Sequence, residues 1–244
     1  AFDYISRPFD STIVQRRISN TMLLFARQQR LEKIITDQFQ EQGKNNELMI
    51  SILSHIVEFR NGESGLHVLH VNTITKRLLE QLVRVTDEYS LSPVDISLIS
   101  TASALHDIGK ISISDSILNK PGRLTEEEFE EIKTHTVIGA NMLSDLPIEQ
   151  QEAPLVKVAS EICRWHHERY DGKGYPDGLK GEEIPIAAQV VSLADVYDAL
   201  ISERCYKKAY SYKKALNMIL EGQCGAFNPT LLLCLQEISE SLEK

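Results

Sequence analysis

Residues 106 and 107 read His-Asp, and residues 166 and 167 read His-His. Histidine is the commonest metal ligand, and a carboxylate can bridge two cations. Neighbouring residues on a helix point roughly 100° apart, so each pair can offer one ligand to each of two metals held between helices. The chemistry implied is that of a polynuclear metal site. Glu63 and His67 stand four residues apart. That spacing puts a carboxylate and an imidazole on one helix face, where both can grip one cation.

The elements that must position these groups read as helices. Val94, Ile96, Ile99, Ala102 and Leu105 give an apolar face to a helix leading into His106-Asp107. Thr125 with Glu128 three residues on reads as a capping box, opening a helix that carries Ile132 and His135. Gly172, Gly174, Pro176 and Gly178 break the pattern after the His-His pair, so residues 171–185 are expected to form a loop. Helix resumes from Ala187 to Leu200 and carries Asp195. Upstream, Ile13, Ile18, Met22, Phe25, Ile34, Ile35 and Phe39 mark a long amphipathic helix, which Gly43-Lys44-Asn45-Asn46 is expected to break. Strand-like alternation is scarce, and the fold class is read as all-α.

Composition narrows the function. A net charge of −9 argues against sequence-independent binding of DNA or RNA, which needs a basic footprint. No apolar run reaches the roughly 18 residues of a membrane span, and no leader of basic then apolar residues opens the chain, so a cytoplasmic protein is expected. Cys163, Cys205, Cys224 and Cys234 are scattered without a Cys-x-x-Cys pair, which suggests neither a zinc ribbon nor a disulfide framework. The hydrophobic fraction of 42% is ample for a core.

The set as a whole is more specific than any part. His106-Asp107-x-x-Lys110, His135, His166-His167-Glu168, Asp171-Gly172-x-Gly174-Tyr175-Pro176 and Asp195-x-x-Asp198-Ala199 follow one another over about Ser51 to Phe227. In order and spacing this stretch resembles the HD-GYP family, a branch of the HD-domain phosphohydrolases. The resemblance implies an HD-domain helical bundle over residues 48–244, with Glu63, His67, His106, Asp107, His135, His166, His167 and Asp195 as metal ligands and Asp107 as the bridge. His135 stands alone in sequence and enters the set only through this match. A Glu four residues before the ligand His is similar to the feature of members that hold three metals. Two or three divalent transition-metal ions are therefore expected. Nitrogen and carboxylate ligands without thiolate suit iron first and manganese second. Only three of the eight ligands are carboxylates, so the loaded pocket would be locally positive under an acidic surface. Behind the ligands, Glu168 is expected to orient an imidazole or a water, and Asp198 to support a ligand or cap its helix. His70 falls where the family often has Arg, and reads as a supporting residue or a bystander.

Two cations about 3.5–4 Å apart can share a water, lower its pKa and aim the hydroxide at phosphorus. Lys110 can reach the phosphate as a point charge, which puts it with His106 and Asp107 in the catalytic group. The resemblance makes Arg204 and Lys207 clamps on substrate phosphate or guanine. Tyr175 either stacks on a base or fastens its loop. The implied activity is hydrolysis of cyclic di-GMP to pGpG, with or without a second step to GMP. The alternatives are another cyclic dinucleotide, a mononucleotide, or a non-catalytic module that binds a cyclic dinucleotide or a diguanylate cyclase. Residues 1–16 resemble the end of a response-regulator receiver domain, which implies a sensor kinase as partner. Residues 17–47 read as a connector helix and linker, and its apolar stripe suits a homodimer seam.

Overall fold

The computed structural model describes residues 11–60, 66–203 and 209–242, and no strand occurs among them. The all-α expectation holds. No described helix is long and apolar enough to cross a membrane. The chain divides into two compact units, Ala1–Leu48 and Met49–Lys244.

Helix α1 runs from Ser11 to Arg60 without interruption. The break expected at Gly43-Lys44-Asn45-Asn46 does not occur. A glycine ends a helix by turning left-handed, and Gly43 is not among the glycines of positive φ. Within a helix it costs only about 1 kcal/mol, which the helix-forming residues around it can absorb. In the first unit the α1 side chains of Ile13, Ile18, Met22, Phe25, Ile34 and Ile35 are exposed. Most of the receiver-like stretch, residues 1–10, lies outside the described residues.

The second unit is a helical bundle. Its helices are α2 (Leu66–Val85), α3 (Pro93–Ser103), α4 (Asp115–Leu118), α5 (Glu126–Ser144), α6 (Ile148–Gln151), α7 (Pro154–Trp165), α8 (Ile186–Ile201), α9 (Tyr212–Leu220) and α10 (Pro229–Leu242). Local chemistry fixes their starts. Ser92 and Asp95 form a reciprocal capping box on α3, with Pro93 in its first turn. Thr125 and Glu128 do the same on α5, as the sequence predicts, and three glutamates in its first turn favour the positive end of the helix dipole.

Helix α8 forms the centre, because residues 187–194 are buried on every side. Its Val190, Leu193 and Tyr197 pack with Val71, Leu78 and Leu82 of α2, Ile99 of α3, Ile162 of α7 and Leu231 and Leu235 of α10. Burying each such Leu or Ile contributes roughly 1.5–3 kcal/mol. Helix α5 stands to one side, against α7 and a 3-10 turn at Ile108–Ser112. The core thus fixes α2, α7 and α8, and each of them brings ligand candidates to the same end of the bundle.

Candidate metal centre

The centre is built around a turn rather than a helix end. Helix α3 stops at Ser103, short of the expected His106-Asp107, and the backbone passes through residues 104–107 into the 3-10 turn. Asp107 stands at the N-cap of that turn with φ −101° and ψ 9°, and its side chain makes no capping bond. This sparsely populated backbone region is a frequent setting for active-site residues. The carboxylate is therefore left for the site.

Two groups of side chains converge there. Asp107, His135, His166 and His167 form one, and His67, His106 and Asp107 form the other; within each group the potential ligand atoms lie within 4.8 Å of one another. Asp107 belongs to both. Its Oδ1 lies 3.2 Å from His135 Nε2 and 3.8 Å from His166 Nε2, while Oδ2 lies 3.3 Å from His106 Nε2. Asp195 approaches the second group, with Oδ1 at 3.3 Å from His67 Nε2. Seven of the eight expected ligands are thus brought together on α2, the turn, α5, the end of α7 and α8. Glu63, the eighth, lies outside the described residues.

The backbone decides which nitrogen each ring presents. His106 Nδ1 donates to Ser103 O at 2.8 Å, His135 Nδ1 to Ile132 O at 2.6 Å and His166 Nδ1 to Ile162 O at 2.9 Å. A carbonyl can only accept, so these rings carry their proton on Nδ1 when neutral and offer the Nε2 lone pair inward. The lone pairs of His135 and His166 then face each other at 3.4 Å. Buried His106 Nε2 and Asp107 Oδ1 have no hydrogen-bond partner. Buried polar atoms left unpaired are costly, and lone pairs aimed at one point repel. A cation at that point removes both penalties, so the donor set fits divalent metal ions.

Charge agrees with this geometry. Burial would raise the Asp107 carboxyl, but the Lys110 ammonium and the imidazoles of His106 and His135 outweigh it and hold it well below the usual range. Asp195 behaves alike: burial opposes ionisation, and the hydrogen bond with His67 and the charge of His106 overcome it. Burial, then the neighbouring His167 and His106, keeps the His166 imidazole neutral. His167 is lowered to about 4, by burial and then by His135. The metal-free protein should therefore lose stability on acidification. The unfolded chain takes up a proton at His167 near pH 6.5, whereas the folded chain resists until about pH 4. Stability is lost as pH falls across that window, by at most about 3 kcal/mol because water still reaches the half-buried ring. Thermal melts of metal-free wild type and His167→Asn between pH 7 and pH 4 check this, and the variant's slope should be shallower.

An HD-domain family model matches residues 23–231. The chain belongs to the HD-domain family. The HD-GYP-like signature lies within the matched stretch. A probable cyclic di-GMP phosphodiesterase of Vibrio cholerae is 36% identical over 95% of this chain and 55% of its own length. The cyclic di-GMP phosphodiesterase response regulator RpfG of Xanthomonas campestris is 35% identical over 99% of this chain and 63% of its own. A 3′3′-cGAMP-specific phosphodiesterase 2 of Vibrio cholerae is 36% identical over 76% and 33%. The chain thus spans between a third and two thirds of the length of these relatives. Among solved structures, the HD-GYP protein Bd1817 of Bdellovibrio bacteriovorus shares the fold, with a TM-score of 0.53 and 21% identity over 71% of this chain and 51% of that one.

Around this candidate ligand set, Asp198 acts from behind. Fully buried, it accepts from His67 Nδ1 at 2.6 Å, His70 Nδ1 at 2.9 Å and Ser202 Oγ at 2.9 Å. It turns His67 Nε2 towards Asp195, and His70 braces the carboxylate. Supporting carboxylates of this kind typically change metal affinity 10–100-fold when removed. Asp198→Ala should show a loss in that range by chelator competition, with Asp198→Asn intermediate.

Glu168 Oε1 accepts from the amides of Asp177 at 2.7 Å and Gly178 at 2.9 Å, so it anchors the loop, while its Oε2 is buried without a hydrogen-bond partner. The sequence signal is its position directly after the His pair, which is also where the loop folds back. Gly174 lies so close that a Cβ there would meet the Glu168 Cα at 2.4 Å. Asp177, which sequence reasoning missed, completes the latch by accepting from Arg164 Nε and Trp165 Nε1, both at 2.7 Å. Tyr175, joined to Pro176 by a cis peptide, lies over His167 with ring centres 4.8 Å apart. These contacts fasten the loop. Lys110 Nζ bonds Asp107 Oδ2 at 2.5 Å. Arg204 and Lys207 lie outside the described residues.

Proposed function

We propose that this HD domain is a metal-dependent phosphodiesterase that opens cyclic di-GMP to pGpG, with or without a further step to GMP. The observation that carries the reading is the convergence of the His135, His166 and His106 Nε2 lone pairs on one buried carboxylate, Asp107, which both ligand groups share. The relatives' activities support the substrate class. Divalent ions bound there would activate water and neutralise phosphate oxygens. The chain's own residues set the stage. Asp107, His135, His166 and His167 form one position, and His67, His106, Asp107 and Asp195 the other, with Glu63 supporting a third. Iron suits this nitrogen-rich set first and manganese second. Lys110, held against Asp107, presents an ammonium to an entering phosphate, and Arg204 and Lys207 complete the anion grip. Tyr175 bounds the entrance beside His167.

The relative specific for 3′3′-cGAMP favours a second reading, in which the mixed cyclic dinucleotide is the substrate. For the whole protein we propose a cytoplasmic response regulator, with a sensor kinase acting through the receiver-like end and pairing of α1 in a homodimer. A diguanylate cyclase is a further candidate partner. Metal analysis of anaerobically purified protein, coupled to product identification on a cyclic-dinucleotide panel, tests the reading. Two or three equivalents of iron or manganese with a 5′-phosphorylated linear product support it. Ribose-cyclised products, or binding without turnover, sink it.

A further inference from the structure

At the end of α1, one guanidinium holds the segment that carries the metal turn. Arg60 Nη1 donates to Ile111 O at 2.6 Å, and its Nη2 to Ile113 O at 3.2 Å and Asp115 Oδ1 at 2.7 Å. The grip is returned, because Asn119 Nδ2 donates to Arg60 O at 2.9 Å. These partners lie in the stretch directly after Asp107 and Lys110, within and beyond the 3-10 turn and in α4. Carbonyls at a helix end lack partners in the helix itself, so the two contacts to Ile111 O and Ile113 O satisfy groups that would otherwise need water. From Arg60 the chain leads in seven residues, through Glu63, to His67.

We infer that Arg60 is a positioning residue: it locks the end of α1, seven residues before His67, to the segment leaving Asp107 and Lys110, and so helps fix the spacing between the two ligand groups. The inference rests on the metal reading proposed above. An arginine fits the task because its planar fork can serve two carbonyls and a carboxylate at once, whereas a lysine's single ammonium reaches fewer. Position matters as much as chemistry. Residues 111–115 follow Asp107 within two turns, so displacement there is passed along the backbone to a carboxylate shared by both groups. Among the described residues of α1, Arg60 bonds both the turn and α4 through one side chain.

The test compares wild type, Arg60→Ala, Arg60→Lys and Asn119→Ala by three readouts: metal retention under chelator competition, amide hydrogen exchange, and kcat against KM in the loaded enzyme. Arg60→Ala should weaken retention by about 10-fold or more and speed exchange at residues 108–113, with kcat falling and KM little changed. Arg60→Lys should recover part of the loss. Asn119→Ala, which leaves the guanidinium in place, should move retention in the same direction by a few-fold, and serves if Arg60→Ala fails to fold. Wild-type retention in both alanine variants at a temperature where they are folded, even with a lower Tm, overturns the positioning role and leaves the metal reading intact. A wild type that takes up no transition metal overturns the metal reading itself.

Discussion

Asp107→Ala is expected to remove both metal positions at once. The carboxylate stands in both ligand groups, so its loss leaves His135, His166 and His167 without their anionic partner and leaves His67 and His106 with Asp195 but without the group they share with the first position. The first three are neutral or repelling imidazoles, and a divalent cation among them would lack the charge that balances it. Metal content should fall from the wild-type value towards zero, and turnover by on the order of 10³-fold or more, well beyond the 10–100-fold typical of a supporting residue. The fold should survive, because the apolar core that α8 forms with α2, α3, α7 and α10 does not include this side chain. Asp107→Asn separates charge from shape: it keeps the side chain's volume and should still lose the metal. Elemental analysis together with a thermal melt decides the matter. Wild-type stoichiometry in Asp107→Ala would remove this residue from the bridging role.

Gly109→Ala should damage the centre without touching a ligand. A Cβ at Gly109 would lie 2.0 Å from the His135 carbonyl oxygen and 2.6 Å from the Gly139 amide nitrogen. Both are backbone atoms in the middle of α5, so no side chain can swing aside to make room. Either the 3-10 turn lifts from α5 or α5 bends, and in both cases Asp107 moves away from His135. Overpacking of a tight contact costs about 1–3 kcal/mol, and the backbone clash here puts this substitution at or above the top of that range. A lower Tm and weakened metal retention should appear together. Alanine at Gly43, inside α1 with nothing within 4 Å, should leave metal retention unchanged and, as the better helix former, should not lower Tm, and so controls for the substitution itself.

Much of this candidate centre was legible in the sequence because the residues that converge there come in pairs and its helices begin at recognisable caps. The His106-Asp107 and His166-His167 doublets, the Thr125 capping box and the glycine-rich loop each have a local signature. The architecture was legible for the same reason. What escaped notice depends on contacts distant in sequence. Gly109 is a glycine because α5 passes against it. Asp177 latches back to Arg164 and Trp165, and Glu168 serves loop amides; nothing in the residue types around them distinguishes these roles. The unbroken α1 shows the opposite limit. A Gly-Lys-Asn-Asn run looks like a linker on composition, but a helix stops only where the backbone turns or a cap captures its end.

The hydrogen bonds behind the ligand rings carry a consequence for mutational robustness. His106, His135 and His166 are each oriented by a main-chain carbonyl, of Ser103, Ile132 and Ile162. A point substitution changes a side chain but leaves its carbonyl in place, so those three residues can vary widely while the rings keep their aim. His67 is oriented by a side chain, Asp198. One codon can erase that support. Random mutagenesis scored by metal retention should therefore find the weakness of this centre concentrated on the His67 side.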